Sequence, residues 1–173
     1  MSKPIVVIGP PGTGKTTFIL DKIEEYIAEG YSIDEIGFFS FSNKAVDEAK
    51  QRASEKFKIP ASQLESFSTL HSYALLKEYK EKGYEKFTDG ITGSFVKDSG
   101  PKMDFTDLIS NYVKQYRVKP FRVVFFDESQ DMSTIQWKMA EMIWKASEVS
   151  YIAMDPNQAI YTWADADVAR AIE

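Results

Sequence analysis

Cysteine is absent from the 173 residues, and histidine occurs once, as His71. The first absence excludes disulfide scaffolds, thiolate metal centres and cysteine nucleophiles, and the second excludes a multi-histidine metal site. No apolar run approaches the ~18 residues of a membrane span. The aliphatic run Ile5 to Ile8 is also too short for the core of a signal peptide. A soluble, cytoplasmic protein without a membrane partner is the expectation. Internal repeats and low-complexity tracts are missing as well. What is present is a chain 43% apolar, and at this length folding hides roughly 70% of the surface of the unfolded chain. Residues 1–173 are therefore expected to form a single domain with a core of its own.

The net charge of −5 argues weakly against nucleic-acid binding. Its distribution weakens that argument. Residues 127–173 hold three basic and nine acidic side chains, whereas residues 1–126 hold 18 basic and 17 acidic ones. The deficit thus belongs to the C-terminal quarter.

The β-branched run Ile5 to Ile8 reads as a strand buried on both faces of a parallel sheet. Ile19, Leu20, Ile23, Tyr26 and Ile27 recur at helical spacing, with Gly30 placed to end that helix. A second strand is expected at Ile36 to Phe41. Asn43 can cap a helix whose buried stripe is Val46, Ala49 and Ala53, with Lys44, Lys50, Arg52 and Lys56 around it. A short strand at Glu65 to Phe67 and a helix from Leu70 to Lys82 follow. Gly83 to Met103 holds four glycines and a proline without a sustained period and reads as a loop. With a helix at Phe105 to Tyr116 it makes up an insertion over about residues 78–118. A strand at Phe121 to Phe126, a helix with Ile135, Met139, Met142 and Ile143 inward, and a strand at Ser150 to Met154 complete the chain. Strands alternating with helices predict an α/β fold, a mainly parallel sheet with helices on both faces.

Gly9-Pro10-Pro11-Gly12-Thr13-Gly14-Lys15-Thr16 matches the G-x-x-x-x-G-K-[ST] phosphate loop in full. Its glycines let successive backbone N–H groups converge on one anion, and the next helix adds its positive N-terminal end. Lys15 would reach the β and γ phosphates, and the Thr16 hydroxyl would ligate Mg²⁺. Such a loop needs a carboxylate at the end of another strand, and Asp127 stands there, followed by Glu128. In this pair Asp127 is expected to order the metal and its waters, while Glu128 accepts a proton from, or orients, the water attacking the γ phosphate.

Phe126-Asp127-Glu128-Ser129-Gln130-Asp131 resembles the D-E-x-Q-D box of superfamily 1 helicases of the UvrD/Rep type. Phe39 to Ala45 is similar to that family's F-T-N-K-A segment, Ser68 to Ser72 to its T-x-H-S segment, and Ile152 to Trp163 to its G-D-x-x-Q-x-I-Y-x-[FW] segment. The five segments run in the same order over about 155 residues. The resemblance implies a three-layer, RecA-like phosphate-loop domain that binds and hydrolyses ATP with Mg²⁺ and moves on single-stranded DNA. It also implies that Thr17 extends the phosphate-binding segment, and that Gln158 sits against the γ phosphate in a network with Gln130. For DNA it points to Phe41, Tyr161 and Trp163 as rings that meet bases, with Asn43, Thr69 and His71 near the backbone. Stacking suits a track blind to sequence, because every base presents a flat face. Ala164 stands where the family pattern has an arginine. The resemblance further implies a second RecA-like domain, in cis or in trans, so that this chain alone binds Mg-nucleotide and does not unwind duplexes.

Two other readings use the same loop. A small phosphotransferase would need an arginine-bearing lid, and Gly83 to Met103 contains no arginine. A non-catalytic binding domain would use nucleotide as a switch and show no turnover stimulated by DNA.

Overall fold

The computed structural model describes residues 4–8, 14–82, 86–88, 95–98, 105–115, 119–129 and 132–155. In chain order the regular elements are β1 (Ile5–Ile8), α1 (Lys15–Ala28), β2 (Ile36–Ser40), α2 (Asn43–Phe57), β3 (Phe67–Thr69) and α3 (Leu70–Lys82). They continue with β4 (Lys86–Thr88), β5 (Phe95–Asp98), α4 (Phe105–Gln115), β6 (Val123–Asp127), α5 (Thr134–Ala146) and β7 (Val149–Met154). Five strands form one sheet in the order β1-β7-β6-β2-β3, and every pairing in it is parallel.

Alternation along the strands sends side chains to opposite faces and so builds two cores. Ile36, Phe38, Val123, Phe125, Tyr151 and Ala153 pack with Ile19, Leu20 and Ile23 of α1 and with Ala49 and Ala53 of α2. Phe39, Val124, Phe126, Ile152 and Met154 pack with α3, α4 and α5 on the other face. The result is a three-layer α/β domain, as the alternation of elements predicts, and of the RecA-like type that the family resemblance implies.

Local chemistry fixes the ends of the helices. Gly30, at φ 98°, ends α1: its N–H bonds to the carbonyl of Ile27, and the N–H of Tyr31 bonds to that of Tyr26. This Schellman arrangement satisfies carbonyls that the last turn leaves open. Asn43 is the first residue of α2 and not its cap. Ser42 takes that place, its hydroxyl accepting from the N–H of Ala45.

Three further expectations change. Within the stretch read as loop, β4 and β5 pair antiparallel as a separate two-stranded sheet, with a register shift at Phe87/Thr88. Lys50, placed by helical spacing among the polar surround of α2, is only 4% exposed. Its stem is buried with α2 against the sheet, and this desolvation lowers the ammonium pKa against the opposing charges of Asp47 and Glu65. In α5, Met139 and Ile143 are buried as expected, while Ile135 and Met142 are only partly so, and Trp137, Ala140 and Trp144 fill the remainder.

Candidate functional site

The carboxyl ends of the central parallel strands meet the N-terminus of α1 at one rim of the sheet. β7 stands between β1 and β6, so β1 and β6 are not neighbours in the sheet. One hydrogen bond spans that gap: the Thr16 hydroxyl donates to Asp127 Oδ2 at 3.2 Å, joining residues 111 positions apart. Gly14 turns the chain into α1 at φ 79°, a left-handed conformation that favours glycine, and its carbonyl accepts from Phe18 N–H at 2.8 Å.

Asp127 ends β6 and is 2% exposed. Burial, and after it the charge of Glu128, hold its carboxyl above the ordinary carboxylate range. The Glu128 amide, which donates to Asp127 Oδ1 at 3.0 Å, the Thr16 hydroxyl and the positive Lys15 oppose this and do not cancel it. A buried carboxylate whose neighbours leave its charge undercompensated suits a cation. Carboxylate and hydroxyl oxygens are the hard donors that Mg²⁺ takes alongside water and phosphate oxygens.

Glu128 adopts φ 53°. A side-chain-bearing residue held in the left-handed region costs of order 1–3 kcal/mol, and such positions cluster at functional sites. Glu128 shares a cleft of about 230 Å³ with Phe41, Ser42, Lys44, Ala45 and Glu48. The carboxylate expected to act on water and the ring expected to meet a base therefore line one depression.

Phe41 is 42% exposed and Asn43 is exposed beside it. Thr69 is buried: its hydroxyl accepts from Ser72 N–H at 3.1 Å and lies 3.0 Å from the Ser72 hydroxyl, capping the first turn of α3. His71, in that same turn, is half-buried with Nε2 3.5 Å from Gln136 Nε2 of α5. Thr17 is exposed and its hydroxyl accepts from the Arg52 guanidinium at 2.9 Å, so α2 is tied to α1 one residue past Thr16. Gly9, Pro10, Pro11, Gly12, Thr13, Gln130, Gln158, Tyr161 and Trp163 lie outside the described residues. The structure thus brings Lys15, Thr16, Asp127 and Glu128 together at one end of the sheet, with Phe41 at its border.

Three residues at this rim escaped the reading of the sequence. Arg52 looked like surface charge, and only the packing of α2 on α1 reveals its contact with Thr17. Ser40 and Ser129 are buried, and their hydroxyls lack hydrogen-bond partners among the described residues. Serine beside an acidic motif carries no signal of its own, although Ser40 does interrupt the apolar run of β2.

The fold and this rim define a RecA-like phosphate-loop domain of α/β class. Within that class, residues 1–89 and 76–172 match the family model of the UvrD/REP helicase N-terminal domain, and the chain belongs to that family. It is 28% identical over 164 residues to a protein of Acanthamoeba polyphaga mimivirus inferred to be an ATP-dependent DNA helicase. That match covers 90% of this chain and 22% of the viral protein. It is also 31% identical over 101 residues to the RecBCD enzyme subunit RecB of Buchnera aphidicola subsp. Acyrthosiphon pisum, covering 57% of this chain and 8% of RecB. The chain therefore spans about a fifth or less of the length of these relatives. No helix among the described residues is long and apolar enough to cross a membrane.

Proposed function

We propose that this helicase-family domain binds and hydrolyses ATP with Mg²⁺, and that the cycle drives movement along single-stranded DNA. The observation that carries the reading is the Thr16–Asp127 bond, which closes a rim of hard oxygen donors between the start of α1 and the end of β6. The backbone amides of Gly9 to Gly14 cradle the phosphates, with Thr17 extending that segment, and Lys15 lies against the β and γ phosphates. Thr16 and Asp127 would hold a Mg²⁺ ion, which when bound would offset phosphate charge. Glu128 orients a water and takes its proton as the water oxygen bonds to the γ phosphorus and the bond to the β–γ bridging oxygen breaks. Gln158 and Gln130 sense the γ phosphate.

Phe41, Tyr161 and Trp163 stack on bases, with Asn43 and His71 beside the DNA backbone. Thr69, also expected near the DNA backbone, is buried and bonded to Ser72, so its role is to fix the first turn of α3, which carries His71. A second RecA-like domain, in cis or in trans, completes the ATP site, and residues 78–118 form an insertion anchored through Ile109 and Tyr112 of α4. Strand separation is a property of the two domains together.

The test is phosphate release by the purified chain, alone and with its second domain, with and without single-stranded DNA. Turnover that needs Mg²⁺, rises with DNA and disappears in Lys15→Ala is the expected result. A phosphorylated acceptor in place of free phosphate would identify a phosphotransferase, and release indifferent to Lys15→Ala would reject the site.

A further inference from the structure

Ser40 is the last residue of β2 and lies in register with Asp127 of β6 on one side and with Thr69 of β3 on the other. Side chains of parallel strands in register share a face of the sheet. Ser40 and Asp127 have the parity of Phe38 and Phe125, which pack on the face covered by α1 and α2. The Ser40 hydroxyl thus stands beside the Asp127 carboxylate on the face from which Thr16 approaches. It is 1% exposed and has no hydrogen-bond partner among the described residues. Thr69 is bonded to Ser72 and Asp127 to Thr16 and the Glu128 amide, and neither is bonded to Ser40. Buried hydroxyls are nearly always bonded, and an unbonded one opposes folding. In a strand that reads Ile-Gly-Phe-Phe-Ser, alanine would serve packing better.

We propose that Ser40 is a positioning residue of the magnesium–nucleotide site, its hydroxyl bonding to an oxygen that arrives with the metal and triphosphate in front of Asp127. The inference rests on the nucleotide-site reading above. The orphaned hydroxyl is then a group prepared for a bound state and satisfied only there. Its neighbour in the chain is Phe41, so the same bond fixes the end of β2 where the exposed ring begins.

Two measurements on wild type, Ser40→Ala and Ser40→Thr test this: the thermal midpoint without ligand, and affinity for a fluorescent ATP analogue in Mg²⁺ and in EDTA. Ser40→Ala should keep or raise the midpoint and lose affinity about tenfold in Mg²⁺, the effect of one charge-assisted hydrogen bond, with no change in EDTA. Ser40→Thr, which keeps the hydroxyl, should bind within about threefold of wild type. The proposal is overturned if Ser40→Ala binds like wild type, loses affinity equally in Mg²⁺ and EDTA, or fails to fold, and also if Ser40→Thr binds as weakly as Ser40→Ala. Wild type that binds no nucleotide would instead reject the underlying site, which separates the two failures.

Discussion

Asp127 concentrates the tension of the site. A carboxyl buried at the end of β6 and placed next to Glu128 holds its proton more tightly in the folded chain than in the unfolded one. Its contribution to stability is therefore present below the ordinary value of 3.8 and is lost as pH rises through the higher folded value. Asp127→Asn removes that dependence. Urea titrations at pH 4 to 8 should show the variant at least as stable as wild type at neutral pH, with a flatter profile, while its Mg²⁺-dependent nucleotide affinity falls by on the order of 100-fold. A variant less stable than wild type across that range would show that Asp127 serves packing. The sequence made Thr16 and Asp127 legible because phosphate-loop chemistry requires both residue types at fixed places after strands. Lys50 and Ser40 were not legible. Their burial depends on how α2 abuts the sheet and on which strands lie in register, and neither is local.

Capping decides where the helices begin. Ser133 and Gln136 form a reciprocal capping box at the start of α5: the Ser133 hydroxyl accepts from Gln136 N–H, and the Gln136 side chain accepts from Ser133 N–H at 2.7 Å. Ser133→Ala should lower unfolding free energy by about 0.5–2 kcal/mol in urea without altering the slope. Gln136 also lies against His71 of α3, so an unchanged stability would mean that α5 is held by packing alone. Amphipathic spacing identified α1 and α2, and α3 has the bounds expected of it. The β4–β5 hairpin had no comparable signature. Its strands have three and four residues, too short for alternation to emerge among glycines. Ser42 outranked Asn43 as the cap of α2 because both residue types cap well and only the backbone path chooses between them.

The whole molecule is legible in class and opaque in order. Alternating strands and helices predict a parallel sheet with helices on both faces, yet nothing local states that β7 lies between β1 and β6. That placement lets Thr16, at the start of α1, and Asp127, at the end of β6, meet across the end of a third strand. Family membership and this geometry together support one reading, in which a single rim couples Mg-nucleotide to a surface bordered by Phe41. The most direct test is a crystal structure of the chain with Mg²⁺ and a non-hydrolysable ATP analogue. The expected result is phosphates over the Gly9 to Gly14 amides with Lys15 against them, and the metal ion held by Thr16 and Asp127. Nucleotide bound elsewhere, or a metal ion away from both residues, would contradict it.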